Sequence, residues 1–331
     1  MRKVLITGGC GFVGRWFANA LLDAGDDVLL VDNLSSGIHP KQWAFTPTDV
    51  RQLKFYQGNV REFFTSQFGD VAASYDLIIH CAAVVGGRLK IDGDPLAVAT
   101  DLAIDSDFFN WCVADRNHLP GKVVYFSSSA AYPTMLQKES SHCKLGETFL
   151  DFTVSKIGVP DQTYGWSKLS GEFLAQTAVK TYGLNVAIYR PFGGYGEDQS
   201  FDYPFPSIIR RALQKENPVT VWGSGEQQRD FIHIDDVVNG VLATLDLPAG
   251  TVLNLGTGVP TSFRQLAEQA CALAGYKPEI VNDATKPQGV FSRVADVYRL
   301  EQYYKPQISL EIGIRRSLAF MREQGLTQRV S

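Results

Sequence analysis

Two short segments carry a serine, a tyrosine and a lysine that together could move a hydride at a carbon bearing a hydroxyl group. Residues 126–132 read FSSSAAY and residues 164–168 read YGWSK. Loss of hydride from such a carbon requires that the hydroxyl proton leaves too, so a base must lie within hydrogen-bond reach. Tyr164 can be this base if a neighbouring ammonium lowers its pKa, which is about 10 in an unperturbed tyrosine. Lys168 follows one turn later on the same face of a predicted helix and supplies that charge.

Ser128 follows a predicted strand at residues 123–126, at the carboxyl edge where α/β sheets bind ligands. Its hydroxyl can orient the substrate oxygen and help to carry the proton. Taken alone, Tyr164 is explained as a packed helix aromatic and Lys168 as a solvated charge. Together with the serine segment and a glycine-rich turn near the N-terminus, the three residues favour a catalytic site.

Gly8, Gly11 and Gly14 lie between a predicted strand and a predicted helix. In such a turn the first glycine allows the tight bend, the second lets a pyrophosphate approach, and the third lets the helix pack on the strand. The helix N-terminus favours the bound anion. Asp32 ends the second strand, where a carboxylate accepts hydrogen bonds from the adenosine ribose and repels a 2′-phosphate. The pattern favours NAD over NADP; a turn that binds nothing and a solvated aspartate are the alternatives.

Further NAD contacts are predicted around these positions. Asn59 follows the third strand and could reach the adenine, and small residues after His80 would let a dinucleotide lie close to the backbone. His80 itself is interpreted as a buried structural histidine. The remaining predicted cofactor contacts, besides Tyr164 and Lys168, are Phe12, Val13, Asn33, Leu34, Ser36, Val60, Cys81, Ala82, Ala83 and Pro191.

Short apolar runs alternate with helical patterns, which predicts an α/β fold whose strands pair in parallel through right-handed crossovers. Predicted strands cover residues 4–6, 28–31, 53–56, 77–80, 123–126, 186–189, 219–222 and 252–255. Predicted helices cover residues 12–24, 164–181, 208–213, 235–245 and 262–274, the last with Ser262 as N-cap. We expect a first domain at residues 1–190 and a smaller lobe at 191–331, interleaved with the first, that closes over a substrate.

The bulk properties are those of an ordinary globular chain. The 331 residues are 45% hydrophobic and 20% charged with a net charge of −4, which gives no reason to expect nucleic acid or membrane as partners. Five widely spaced cysteines without a C-x-x-C pair predict reduced thiols and no metal site. The N-terminus passes straight into a strand, and no apolar run approaches the ~20 residues that span a bilayer. We therefore expect a cytoplasmic protein.

The chain resembles the extended short-chain dehydrogenase/reductases, specifically the nucleotide-sugar epimerases and dehydratases. The resemblance runs nearly end to end and is specific for the family, though much less so for the sugar. The segments that carry it are TGGCGFVG, VDNLSSG, HCAAVVGGR, FSSSAAYP, YGWSK, YRPFGGYG, GSGEQQRDFIHIDDVV and NLGTG. It implies a Rossmann fold with a doubly wound parallel sheet that binds NAD, and a C-terminal lobe that holds a nucleoside-diphosphate sugar.

Matched motif by motif, the resemblance implies that Ser128, Tyr164 and Lys168 form the catalytic triad. Ser128 stands four residues before Tyr132, as the catalytic serine or threonine does in this family; its neighbour Ser129, which could be confused with it, is assigned to the substrate contacts. The other implied substrate residues are arginines that meet the diphosphate or the sugar, and one tryptophan near the base: Arg229, Arg293, Arg88 and Trp222. For Arg293 a surface position, and for Trp222 packing under its turn, are equally good explanations.

Departures from the family pattern exclude some of the reactions that the family catalyses. Ser129 and Ala130 replace the Asp-Glu pair with which dehydratases remove water, and Ala130 also replaces the cysteine of enzymes that epimerise at C3 and C5. The partner histidine or lysine of those enzymes is absent too, since residues 197–199 read EDQ. Asn59 replaces a more usual aspartate, and Asp101 stands where relatives often have asparagine.

With dehydration and epimerisation at C3 and C5 excluded, the catalytic residues predict epimerisation at C4 through a transient 4-keto sugar. The alternative is a one-way C4 dehydrogenase or 4-keto reductase that uses the same residues, as in GDP-fucose synthase. A third hypothesis is a non-catalytic NAD-sensing protein. The family also implies a homodimer built from two helices per subunit. Aromatic and apolar residues would suit that interface or equally a buried core: Phe108, Phe109, Trp111, Phe173, Leu174 and Thr177.

Overall fold

The computed structural model describes residues 1–44, 52–65, 71–141, 143–154 and 156–326. Its centre is a seven-stranded sheet in which every pair of neighbours is parallel. In chain order the strands are β1 (Lys3–Thr7), β2 (Asp27–Asp32), β3 (Leu53–Gln57), β4 (Leu77–His80), β5 (Lys122–Phe126) and β6 (Val186–Pro191). The seventh strand, at Val252–Leu255, pairs with β6 at the edge of the sheet. The predicted doubly wound Rossmann sheet is therefore confirmed.

Helices cover both faces of this sheet. One face packs against α1 (Phe12–Asp23), and the other packs against α2 (Val60–Thr65). The chain then forms the short α3 (Arg88–Gly93) and α4 (Pro95–Val98), followed by α5 (Asp101–Cys112) and the long α6 (Gln162–Tyr182). Helices α5 and α6 pack against each other and share the face of α2. Buried apolar runs explain why these strands were predictable, since both faces of the sheet are covered.

The C-terminal part adds small sheets and further helices. Its strands are β7 (Gly193–Tyr195), β8 (Val219–Trp222), β9 (Gln228–His233), β10 (Val252–Leu255, the edge strand above), β11 (Pro260–Ser262), β12 (Ile280–Asp283) and β13 (Ser292–Arg293). Its helices are α7 (Pro204–Leu213), α8 (Ile234–Leu242), α9 (Phe263–Leu273), α10 (Tyr298–Glu301) and α11 (Leu310–Glu323). Because β10 and α8 pack with the large sheet, this part is interleaved with the first. The exact boundary at residue 190 stays a prediction.

Some elements differ from the sequence prediction. Helix α7 begins at Pro204, four residues earlier than expected, because proline suits the first turn of a helix, where no backbone donor is needed. Ser262 caps α9 as predicted and forms a capping box with Gln265. The short polar strands β7, β9, β11 and β13, together with β12 and α11, were not predicted.

The helix residues considered for a dimer interface fall into two groups. Phe108 and Phe109 are buried in the core between α5 and the sheet, so the core explanation is the correct one for them. Phe173 on α6 is 52% exposed. In the described ranges, no helix is long and apolar enough to cross a membrane.

Candidate active site

Tyr164 and Lys168 lie on the first turns of α6, beneath the carboxyl ends of the central strands. The ammonium nitrogen of Lys168 is 6.0 Å from the centre of the Tyr164 ring. Lys168 is only 5% exposed, and Tyr164 is half-buried. Spacing by one turn explains why the side chains meet, and the structure therefore brings together the two residues that were predicted to share a face.

The pKa of Tyr164 reflects opposing influences. Burial is the largest influence and raises the pKa of Tyr164 above its ordinary value; the Lys168 charge and a hydrogen bond from Ser128 lower it but do not outweigh burial, so the net lowering expected from the sequence is not found in this structure. For Lys168, burial would lower the pKa, but the carboxylates of Asp105 and Asp101 outweigh burial and raise it. Lys168 is therefore a permanent ammonium group at neutral pH, which is the state that supports a phenolate.

Ser128 lies two residues beyond β5, where the chain turns into a short 3₁₀ helix at Ser129–Ala131. Its hydroxyl accepts a hydrogen bond from the backbone N–H of Ala130 at 3.1 Å, which fixes the side chain at the sheet edge. The same hydroxyl is hydrogen-bonded to the Tyr164 side chain, so the structure brings Ser128 together with Tyr164 and Lys168 as expected. Ser129 and Ala130 are buried beside it.

A buried polar network lies behind Lys168. Asp105 accepts a hydrogen bond from the Tyr125 hydroxyl at 2.5 Å, and its other oxygen lies 3.2 Å from Nε2 of His80. Nδ1 of His80 is 2.7 Å from the hydroxyl of Thr7. The ammonium nitrogen of Lys168 lies 5.8 Å from the centre of the Tyr125 ring. His80 is therefore structural, as predicted, whereas Asp105 and Tyr125 were missed by sequence reasoning.

The glycine-rich turn fits a dinucleotide. Gly8 has a φ of 65°, and a Cβ there would lie 2.7 Å from the backbone of Ala82. A Cβ at Gly14 would lie 2.5 Å from the Gly8 carbonyl oxygen, so only glycine lets helix and strand approach this closely. A Cβ at Gly11 has a single neighbour, the same carbonyl, and would otherwise fill open space in front of α1. No side chain caps that helix, which leaves its first N–H groups for a pyrophosphate.

Asp32 ends β2 with its carboxylate fixed by the backbone. One oxygen accepts from the N–H of Cys10 at 3.0 Å and the other from the N–H of Leu34 at 2.7 Å. Each oxygen has a second lone pair, so the carboxylate can still accept from ribose hydroxyls. These contacts fit NAD, because a 2′-phosphate would meet a fixed negative charge.

The other predicted cofactor residues lie along the same edge. Asn59 uses its side-chain oxygen to accept from the N–H of Arg61 at 3.0 Å, which leaves its amide nitrogen as the donor for an adenine. Burial raises the pKa of the Cys81 thiol to about 12, so it is a neutral, small lining group. The positions next to the turn or the strand ends are Phe12, Val13, Asn33, Leu34, Ser36, Val60, Ala82, Ala83 and Pro191. Asp101 accepts from the N–H of Val84 at 2.6 Å and so orders the loop after β4.

Two of the predicted substrate arginines meet at one carboxylate. Nη1 of Arg88 lies 2.9 and 3.1 Å from the two oxygens of Asp161, and Nη2 of Arg293 lies 2.8 Å from one of them. Arg293 also donates to Gln137 at 2.7 Å. Burial would raise the pKa of Asp161, but the two guanidinium groups hold it below its usual range. Arg293 is therefore part of this cluster, which rules out the surface explanation.

Arg229, on β9, differs from both. It donates to the backbone carbonyls of Gln228 and Phe291, at 2.7 and 3.4 Å, and no described carboxylate lies within 4.0 Å of it. A Cβ on Gly289 would lie 3.6 Å from Arg229 and 3.7 Å from Arg88, so the guanidinium groups face a common space. Burial, together with Arg293 and Arg88, lowers the pKa of Arg229 to about 9, and it stays charged at neutral pH.

Trp222 and two further residues complete the surroundings. Trp222 ends β8 and is 37% exposed, so it is not enclosed beneath its turn. Burial raises the pKa of Tyr203, and the charges of Tyr164 and Asp202 raise it further. Tyr203 and Asp161 were missed because neither stands in a motif; the acidic residue three positions before Tyr164 was the available signal.

The two acidic residues that follow the YRPFGGYG segment (residues 189–196) form ion pairs with structural partners. Glu197 is held by His233 at 3.1 Å and by Arg316 at 2.5 Å. Asp198 is held by Arg15 at 2.7 Å. Neither is therefore free to move a proton at a sugar carbon. The described residues include no group of three or more His, Cys, Asp and Glu side chains that could hold a metal ion.

Comparison with known proteins gives the same family. The chain is 29% identical to a dTDP-4-dehydro-6-deoxy-D-allose reductase of a Streptomyces species, covering 97% of this chain and 96% of that protein. It is 28% identical to a putative UDP-glucose 4-epimerase of Methanocaldococcus jannaschii, covering 98% and 100%. The fold matches the UDP-glucose 4-epimerase of Thermus thermophilus in complex with NAD, with a TM-score of 0.79, 22% identity, and coverage of 97% and 99%.

Residues 4–256 match the family described as NAD dependent epimerase/dehydratase. This span covers well over half of the chain and contains the glycine-rich turn, Ser128, Tyr164, Lys168 and Arg229. The protein is therefore an NAD-dependent enzyme of the epimerase/dehydratase family.

Proposed function

We propose that the protein epimerises a nucleoside-diphosphate sugar at C4. The single observation that carries this proposal is that, among the described residues, the hydride-transfer site has no free acid or base at position 130, 197 or 198, where related enzymes would place one for a sugar carbon. Ala130 occupies the position beside Ser129 where such a group would stand, and Glu197 and Asp198 are paired with structural partners.

Each of the three catalytic residues has its own role in the proposed reaction. Tyr164 accepts the proton of the C4 hydroxyl as a phenolate that Lys168 stabilises, and Ser128 orients the substrate oxygen. NAD, when bound, supplies the carrier for the hydride. Tyr164 would then return the proton to the oxygen at C4 as the inverted sugar forms.

The arginines hold the remainder of the substrate. Arg229 has the fork geometry that suits a phosphate and has no carboxylate partner within 4.0 Å among the described residues. A firm grip at the diphosphate leaves the sugar free to rotate, which C4 epimerisation requires. Trp222, exposed at the rim, is proposed to lie against the nucleotide base.

A one-way 4-keto reductase is the second candidate, because the Streptomyces relative is named as one. The measurement that separates the two is stoichiometry on a panel of UDP, GDP and dTDP sugars. Absorbance at the NADH band and proton NMR of the sugar are followed together. An epimerase inverts C4 with no net change in NADH, whereas a reductase or dehydrogenase converts one equivalent per turnover. Absence of both C4 inversion and NADH change would contradict both candidates and favour an NAD-sensing role.

The quaternary structure and location stay predictions of the sequence. We propose a cytoplasmic homodimer in which α5 and α6 face a second copy. The exposed apolar side chains on these helices support it: Leu102, Trp166 and Phe173 are 42%, 47% and 52% exposed. Sedimentation of the wild-type chain and of Phe173→Asp tests this, since the variant should run as a monomer.

A further inference from the structure

Asp161 places a negative charge inside the arginine cluster of the active site. Its side chain is 11% exposed, and both of its oxygens are engaged by guanidinium groups at 2.8 to 3.1 Å. The bond to Arg293 joins positions 132 residues apart in the chain. Asp161 therefore ties the start of α6 to the C-terminal lobe.

Arg88 is engaged a second time. Its Nε lies 2.8 Å from Oδ2 of Asp92 on the next turn of α3, while its Nη1 is shared by the two oxygens of Asp161. Two carboxylates thus occupy two of the three nitrogens of this guanidinium. An additional carboxylate brought by a ligand would have to enter beside both of them.

The cluster also lies next to the reacting group. Asp161 is the N-cap residue of α6, three positions before Tyr164. Its backbone N–H donates to the carbonyl of Ala130 at 3.0 Å, and the N–H of Ala130 donates to the hydroxyl of Ser128 at 3.1 Å. Arg293 is close enough to Tyr164 to lower the pKa of its phenol. In a hexose C6 is two bonds from C4, so a sugar whose C4 hydroxyl meets Tyr164 can bring its C6 group beside Asp161 and its arginine partners.

The charges point to one kind of sugar. Arg88 and Arg293 pair with the carboxylates of Asp161 and Asp92, and Arg229 faces the same space as Arg88, so these three arginines and two carboxylates leave one positive charge in excess. The diphosphate of a nucleotide sugar already brings about two negative charges. A uronate carboxylate would add a third in a half-buried site, where like charges repel strongly.

Building on the proposed C4 epimerase, we infer that Asp161 is a specificity-determining residue that selects nucleotide sugars with an uncharged C6 group and rejects uronates. Arg88 is then a positioning residue held by Asp161 and Asp92, and not a receptor for a sugar carboxylate. The two roles make opposite predictions for the removal of the Asp161 charge.

The test compares a hexose and its uronate on the same nucleotide. The pair is UDP-glucose and UDP-glucuronate if the panel selects UDP, GDP-mannose and GDP-mannuronate if it selects GDP, or dTDP-glucose and dTDP-glucuronate if it selects dTDP. Both kcat/KM and the dissociation constant, by calorimetry on the NAD-loaded protein, are measured. The wild type should prefer the hexose by at least about tenfold, and Asp161→Asn should move this ratio toward the uronate by about tenfold or more.

Two further variants keep the result interpretable. Asp92→Asn removes the other carboxylate on Arg88 from a more exposed position and should move the ratio in the same direction by a smaller factor. Asp115→Asn removes an equal charge from an exposed turn paired with His118, and should leave the ratio unchanged. Thermal unfolding of each variant shows whether the fold is retained.

A wild type that prefers the uronate, or an Asp161→Asn variant with an unchanged ratio, would overturn the inference while C4 inversion of either sugar would still stand. If neither member of any nucleotide pair is inverted, the proposed function fails instead. The two failures are therefore distinguishable in one set of assays.

Discussion

Arg190 and Arg229 are both arginines on strands of this chain, yet their surroundings are opposite. Arg190, on β6, is fully buried and paired with both oxygens of Glu172; it also donates to the Tyr132 hydroxyl and to the carbonyl of Glu147, each at 2.9 Å. Arg229 donates to backbone carbonyls and lies over the Phe263 ring at 5.4 Å, and no described carboxylate lies within 4.0 Å of it. Burial would lower the pKa of Arg190, but Glu172 outweighs it and raises that pKa; burial lowers the pKa of Arg229 to about 9.

The difference separates two uses of a buried charge. A guanidinium whose partners are all supplied by the chain holds elements together, here α6, β6 and the segment before α6. A guanidinium left without a carboxylate is positioned for an anion from outside. Helix α6 takes part in both uses, because Tyr164 and Lys168 lie at its start and Glu172 lies one turn after Lys168.

The largest expected effect is on catalysis. Tyr164→Phe removes the base but keeps the ring, so kcat should fall by about 10²–10⁴-fold. The free energy of unfolding should change little. The matched control is Tyr298→Phe, at a position that is 71% exposed and should retain full activity. Turnover of Tyr164→Phe at the wild-type rate would remove Tyr164 from the mechanism.

The second effect is on stability alone. Arg190→Met leaves Glu172 buried without its partner and should lower the free energy of unfolding by about 3–5 kcal/mol in urea denaturation. Glu172→Gln combined with Arg190→Met removes the stranded charge and should recover part of the loss. Arg322→Met, on the exposed end of α11, serves as the control. If Arg190→Met lowered the free energy of unfolding only slightly, Arg190 would not have the structural role that distinguishes it from Arg229.

Arg229→Met, in contrast to Arg190→Met, should impair substrate binding and leave stability intact. Loss of a charged hydrogen-bond donor to the diphosphate should raise KM for the nucleotide sugar by about tenfold to hundredfold. Stability should be unchanged or higher, since a partly buried charge without a carboxylate partner is removed. Steady-state kinetics and urea denaturation of one preparation measure KM and the free energy of unfolding. An unchanged KM would show that the diphosphate does not bind at Arg229.

The smallest effect concerns pH. Tyr164 works as a phenolate, so kcat/KM should rise with pH until the tyrosine is fully ionised. The hydrogen bond from Ser128 lowers the pKa of Tyr164, so Ser128→Ala should shift this rise to higher pH. Ser128→Thr keeps the hydroxyl and should restore the wild-type position. A pH profile that does not move in Ser128→Ala would limit Ser128 to substrate orientation.

Local sequence pattern determined the central sheet and the chemical residues. The runs Leu77–His80 and Val252–Leu255 form strands with the predicted bounds, because a short run with three or four buried residues needs no distant information to be recognised. Ser128, Tyr164, Lys168 and Asp32 were likewise identified from their positions at strand ends and on one helix face.

Tertiary structure alone decided the rest. Strand β9 begins with the polar residues Gln228, Arg229 and Asp230, so its extended form depends on pairing with β7, β11 and β13. The contact of Asp161 with Arg293 and that of Asp105 with Tyr125 join elements that no local pattern relates. The sequence by itself therefore determined the fold class and identified the candidate residues for hydride transfer. The three-dimensional arrangement decided which charges are neutralised within the chain and which remain for a ligand, because charge compensation depends on distance in space.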